Sequence, residues 1–153
     1  MSQRLPPIDG EWIDRTQPLR FTFEGTSYTG YVGDTIASAL WATGERVLAR
    51  SFKYHRPRGI LSGANHDVNL LMQDGERLNL RADATALEAG MALTAVNTVG
   101  GVKGDRASSI NLFSAFLPVG FYYKTFLNKR QFPFWERQIR TMTGLGRVDL
   151  GGA

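Results

Sequence analysis

The stretch Leu19-Arg20-Phe21-Thr22-Phe23-Glu24-Gly25-Thr26-Ser27-Tyr28-Thr29-Gly30-Tyr31-Val32-Gly33-Asp34-Thr35-Ile36-Ala37-Ser38-Ala39-Leu40 decides how this chain folds. Leu19–Phe23 alternates apolar and polar residues, Glu24-Gly25-Thr26-Ser27 supplies turn chemistry, and Tyr28–Val32 alternates again, which predicts a β-hairpin. The periodicity then changes. From Thr35 to Gly44 the apolar residues Ile36, Ala39 and Leu40, with Thr43, fall on one helical stripe. Asp34 is a natural N-cap for that helix and Gly44 a natural C′ residue.

Working outward, Val68–Gln73, Asp74-Gly75 and Arg77–Arg81 predict a second hairpin through an Asp-Gly turn. Leu87–Met91 predicts a tight turn and Ala92–Val96 a last strand. Hairpin, helix, then further strands is the order of an α+β β-grasp: one small sheet crossed by one helix. Three regions result: an N-terminal arm over 1–18, the β-grasp domain over 19–97, and an extension over 98–153. The last begins where Thr98–Ser109 turns rich in glycine and small polar residues.

At 153 residues with 42% hydrophobic composition, the chain is long enough for one domain with a real core. It contains no cysteine, which excludes disulfides, thiolate catalysis and every cysteine-ligated zinc or iron–sulfur site. The net charge of +4 permits nucleic-acid binding without requiring it. No segment approaches the ~20 apolar residues of a membrane span, and the first residues lack a signal-peptide run, so the expectation is a cytoplasmic protein.

The densest functional candidate is Arg50-Ser51-Phe52-Lys53-Tyr54-His55-Arg56-Pro57-Arg58-Gly59-Ile60-Leu61, which sets cationic and titratable side chains around two aromatic rings. Arginine forks suit phosphates and carboxylates, and rings stack on planar ligands. The expected contacts with a partner or a cofactor phosphate are Lys53, Tyr54, His55, Arg56 and Arg58, with Pro57 and Gly59 shaping the turn. A solvated charged turn is the plain alternative. A stacking and phosphate site for nucleic acid is the functional alternative, weakened by the small net charge. No catalytic residues are assigned. His55 has no positioned second group in its sequence neighbourhood, the serines lack a nucleophile-elbow context, and the acids sit at turns and helix ends.

After Ser109 the chain concentrates over half of its Phe, Tyr and Trp residues, more than a segment of that length buries alone. Phe121, Tyr122, Tyr123, Phe126, Phe134 and Trp135 are therefore expected to lie against a larger partner. Phe134–Thr143 predicts a helix ended by Gly144-Leu145-Gly146. Pro118 and Pro133 argue against one long membrane-surface helix.

From Gly33-Asp34-Thr35 through the Arg50–Gly59 loop, the chain resembles the N-terminal ferredoxin-like domain of the alpha subunit of heterotetrameric sarcosine oxidases. The tail stretch Phe116-Leu117-Pro118-Val119-Gly120-Phe121-Tyr122-Tyr123-Lys124-Thr125-Phe126 resembles the same subunit. In related [2Fe–2S] subunits of opine and hydroxyproline dehydrogenases, cluster cysteines follow the Arg-Pro-Arg-Gly motif. Here Ser62, His66, Asn69 and Asp83 take those places, and hard oxygen ligands with one histidine do not match the thiolate preference of such clusters. The resemblance implies a degenerate ferredoxin fold that holds no metal or cofactor by itself.

It further implies membership of an amine-oxidising complex that oxidatively demethylates or deaminates a secondary or N-methyl amine. The expected partners are flavoprotein and dinucleotide-binding subunits, and the expected cofactors of the complex are FAD, FMN and NAD, with tetrahydrofolate used as well. A full dinucleotide fingerprint is missing here. Gly144-Leu145-Gly146 and Gly151-Gly152-Ala153 have neither its spacing nor a preceding strand.

Overall fold

The first hairpin pairs β1 (Asp14–Phe23) with β2 (Thr26–Val32). A computed structural model describes residues 3–51, 54–60, 70–109, 112 and 132–143. Glu24 at φ 50° and Gly25 at φ 77° join the strands. Positive φ at both central residues is the type I′ pattern, which matches strand twist and returns Thr26 and Ser27 to the strand. β1 begins at Asp14, before the alternation that starts at Leu19. Asp14 already pairs with Val32, and an irregularity between Asp14 and Pro18 hides the alternation. The Asp14 carboxylate organises that bulge by accepting from the Thr16 amide and hydroxyl and from Gln17.

Helix α1 (Ile36–Ala42) follows, with one correction to its cap. Thr35, not Asp34, is the N-cap: its Oγ1 accepts from Ser38 N at 3.2 Å while Ser38 Oγ accepts from Thr35 N at 3.0 Å. Asp34 is 1% exposed and turned elsewhere, accepting from Tyr31 N at 2.9 Å, Ser38 Oγ at 2.7 Å and Arg4 at 2.5 Å. Gly44 ends the helix at φ 96°, as its position predicts.

A two-stranded ribbon comes next, β3 (Ala49–Arg50) against β4 (Pro57–Arg58). The second predicted hairpin is β5 (Leu71–Asp74) with β6 (Arg77–Arg81), turning at Gly75-Glu76 one residue later than the Asp-Gly signal placed it. Asp74 stays in the strand opposite Arg77, and its side chain accepts from Ala92 N. β7 (Ala92–Ala95) then enters the middle of the sheet. The order is β2-β1-β7-β5-β6, with β7 parallel to β1 and antiparallel to β5. A parallel pair cannot be joined by a tight turn, so the chain crosses over through α1 and the intervening segments. This is the α+β β-grasp arrangement.

Core side chains come from one face of the sheet, from α1 and from the segments leading into β3 and β5: Phe21, Phe23, Ile36, Leu40, Leu48, Leu70, Met72 and Leu93 are all nearly inaccessible. Burying each contributes about 1.5–3 kcal/mol against leaving it in water. Gly30 on β2 admits the helix, because a Cβ there would meet Ala39 Cβ at 2.9 Å and overlap Leu87. The change of texture after Asn97 does not end the packing, since Val102 is 1% exposed and belongs to the same core cluster. α2 (Phe132–Thr143) forms where a helix is predicted, with Phe134 and Trp135 in an edge-on ring contact at 5.5 Å.

Candidate functional site

The basic loop is a hairpin braced from below. Ser51 N donates to Arg56 O at 2.9 Å, His55 N donates to Ser51 O at 3.0 Å, and Arg56 N donates to Ser51 Oγ at 3.0 Å, so Ser51 gathers the turn. Leu48 N adds a bond to Arg58 O at 2.8 Å. His55 holds φ 52°, a left-handed conformation uncommon for a residue with a side chain.

That backbone geometry directs His55 inward. Its ring is buried, with Nδ1 2.7 Å from Asp105 Oδ2, and the Asp105 side chain is wholly enclosed. Asp105 Oδ1 accepts from Val99 N at 2.9 Å and Ala107 N at 3.1 Å, which fixes the glycine-rich segment around it. Arg50 makes the second brace: its Nε donates to Val102 O at 2.7 Å, Nη2 bonds the same oxygen, and Nη1 donates to His55 O at 3.1 Å. Two loops far apart in sequence are thus stitched into one rigid edge.

What faces outward is cationic and aromatic. The Arg56 guanidinium lies 4.9 Å from the Tyr54 ring centroid, a cation–π contact that leaves the arginine exposed. Arg46 lies 3.9 Å over the Trp41 ring, and its carbonyl sits so close to Gly59 that no side chain fits there. The charges of the domain are sorted. Arg4, Arg15, Arg77 and Arg81 each hold a carboxylate, whereas Arg46, Arg50, Arg56, Arg58 and Arg106 have no carboxylate partner among the described residues, nor does Arg20 on the open sheet face. The acids at this end are engaged: Asp105 by His55, and Glu45 by Lys103 at 2.9 Å and Tyr28 at 2.6 Å. Partial burial opposes ionisation of Glu45, but those two donors outweigh it and hold its carboxyl below the usual range. Desolvation, then the bond to Glu45, pushes the Tyr28 phenol up to about 12.

Of the expected contact residues, Tyr54, Arg56 and Arg58 are together on the hairpin, while His55 is turned into the scaffold. Lys53 lies outside the described residues, as do Phe121, Tyr122, Tyr123 and Phe126. Phe134 and Trp135 are 58% and 39% exposed on α2. Reading the loop by itself misses Arg46, Trp41 and Asp105, which join it only through tertiary contacts, and the inward brace that Arg50 makes on Val102 O. Asp105 carries no local signal, because its partner His55 is 50 residues away.

Residues 16–98 match the profile of the 2Fe-2S iron-sulfur cluster binding domain, and the chain belongs to that family. It is also similar to sarcosine oxidase alpha subunits, along nearly its whole length in one case. It is 41% identical to "Sarcosine oxidase subunit alpha" of Rhizobium meliloti (strain 1021) over 156 residues, 97% of this chain and 15% of that subunit. The subunits of the same name from Corynebacterium sp. strains P-1 and U-96 are 33% and 31% identical over 58% and 67% of this chain, and 10% of their own length. The chain thus spans a small fraction of the relatives it matches. These matches lend no support to a nucleic-acid site.

The cluster that names the family does not fit these residues. Thiolates hold such clusters, and this chain has none. Asp83, at one of the expected cluster positions, is buried with its carboxylate on Arg81 at 2.7 Å and 3.2 Å. Ser62, His66 and Asn69 lie outside the described residues. Among the described residues no helix is long and apolar enough to cross a membrane.

Proposed function

We propose that this chain is a non-catalytic assembly domain of a sarcosine oxidase-like multi-subunit flavoenzyme that oxidatively demethylates or deaminates a secondary or N-methyl amine. The observation that carries this reading is the 41% identity over 97% of the chain to a subunit of which the chain is only 15%. A domain of that size, without thiolates, contributes shape and charge to a larger body. Flavoprotein and dinucleotide-binding polypeptides are its partners, and FAD, FMN, NAD and tetrahydrofolate are bound by them.

In this reading the hairpin is the domain's contact end. Arg56 and Arg58, with Tyr54 beside them and Lys53 its neighbour in sequence, meet a cofactor phosphate or carboxylates of the partner, and His55 holds them in place. Mild purification from the native source, with mass spectrometry of everything that co-elutes, tests the assembly. Co-eluting flavoprotein subunits support it, and a lone 17 kDa species refutes it. The Arg56→Ala/Arg58→Ala double variant tests the hairpin: complex formation or flavin retention falls while the melting temperature holds. An unchanged complex returns the loop to a solvated turn.

A further inference from the structure

The N-terminal arm is fixed to the domain, yet its large apolar side chains point away from it. Gln3 N donates to Ala42 O at 2.8 Å, and the Gln3 side chain meets Arg46. Arg4 reaches the buried carboxylate of Asp34 and lies 5.1 Å over the Tyr31 ring. Arg15 grips both oxygens of Glu11 at 2.6 and 2.8 Å and donates to Leu5 O at 3.0 Å, closing the arm on itself. At the far end the carbonyl of Trp12 presses on Gly33, where a Cβ would overlap it.

On this pinned backbone Leu5 is 81% exposed, Ile8 72% and Trp12 93%. Loose termini commonly expose apolar residues, but a backbone held by Arg4 on buried Asp34, by the Arg15 fork on Glu11 and by a glycine contact is not loose. Three large hydrophobes on a rigid loop have already given up the backbone entropy that docking would otherwise cost. A tryptophan presented this way has the form of an interface anchor.

We infer that Trp12, with Ile8 and Leu5, is a preformed plug for an apolar socket on the polypeptide that fills the remainder of an alpha-type subunit. The identity of that occupant rests on the proposed function. Two observations favour it. The match to the Rhizobium subunit covers 97% of this chain, so it takes in most of the arm, and 85% of that subunit lies beyond the match. A tryptophan and two aliphatic side chains bury on the order of 400–500 Å², about half of one side of a standard interface, so the plug is one part of a larger contact.

The absence of native cysteine makes the test clean. Asp9→Cys places a lone thiol on the exposed arm beside the plug without removing it. Its maleimide labelling rate is measured in the isolated chain and in the chain assembled with the alpha-type polypeptide. The expected result is at least a tenfold slowing on assembly, abolished when Trp12→Ala is added, with Trp12→Phe retaining most of the protection. Equal rates in a complex that still co-elutes overturn the plug while leaving the proposed function standing, whereas failure to co-elute overturns that reading first and the plug with it. Protection that rises with the concentration of the isolated chain assigns the socket to a second copy and also overturns the inference.

Discussion

Replacing Asp105 by alanine tests whether the cationic hairpin is held by the glycine-rich segment behind it. The carboxylate is enclosed and serves three groups: His55 Nδ1, Val99 N and Ala107 N. Removing it leaves two backbone amides and a buried imidazole without their acceptor. Each hydrogen bond to a charged group contributes about 1.5–3 kcal/mol; because the three share one carboxylate they do not simply add, so we expect about 3–5 kcal/mol. For a chain of this length that lowers the melting temperature by roughly 10 °C. Urea unfolding followed by circular dichroism measures it, the midpoint moving with the slope unchanged. Asp105→Asn keeps an acceptor for Val99 and Ala107 and loses about 1–2 kcal/mol. A loss below ~1 kcal/mol for Asp105→Ala would show that the hairpin stands without this brace, and the account of how Arg56 and Arg58 are held would fail. His55 gives an internal control: at φ 52°, His55→Gly is less damaging than His55→Ala by about 1 kcal/mol, since only the alanine must bear left-handed strain. Equal losses would place the stabilisation entirely in the ring.

Gly30→Val forces side-chain atoms into Ala39 and Leu87 and is expected to cost about 1–3 kcal/mol by overpacking; a neutral result in thermal melts would mean that α1 does not sit against β2 as described. Trp12→Ala leaves the isolated chain within about 0.5 kcal/mol of wild type, because the ring touches little of its own domain, and a larger loss would remove it from the outward surface. At high pH, stability falls from pH 10 to about 12 through Tyr28: its folded pKa is raised, so the folded state holds the phenolic proton longer and loses that advantage as pH passes through the folded value. Ultraviolet difference titration should show one late tyrosine that disappears in Tyr28→Phe. Glu45 acts in the opposite direction. Its depressed folded pKa gives stability present above the ordinary glutamate value of 4.5 and lost as pH falls through the folded one, and Lys103→Met should shrink that acid limb.

Much of the fold is legible because local signals agree. Alternation in Leu19–Phe23 and Tyr28–Val32, the capping chemistry before Ile36 and glycine at 44 all specify the same elements that the packing rewards. Where several caps compete, the sequence does not choose. Asp34 and Thr35 both suit an N-cap, and the decision rests on Arg4 and Tyr31, which offer the aspartate a better place. The early start of β1 is hidden by the bulge at Asp14, whose polar residues read as a loop. The candidate site is half legible for the same reason. Arginine density marks the hairpin, but the inward turn of His55 and the bracing by Arg50 and Asp105 depend on contacts 50 and 52 residues apart in the chain.

Stability does not explain the charge pattern at the hairpin. Elsewhere in the domain Arg4, Arg15, Arg77 and Arg81 are each matched by a carboxylate, as expected of a surface selected for solubility and fold. Arg50 and Arg58 on the ribbon, with Arg46 and Arg56 flanking it in sequence, gather like charges that no carboxylate among the described residues pairs directly. The chain nevertheless spends two internal devices on holding this ribbon still, the Asp105–His55 pair and the Arg50 fork on Val102 O, and keeps His55 in a strained conformation to do so. In the proposed function an anionic partner at this edge would offset the mutual repulsion of those charges. In that reading the rigid cationic edge is the docking end of the domain, and the two braces behind it hold Arg56 and Arg58 in the geometry that an anionic partner would meet.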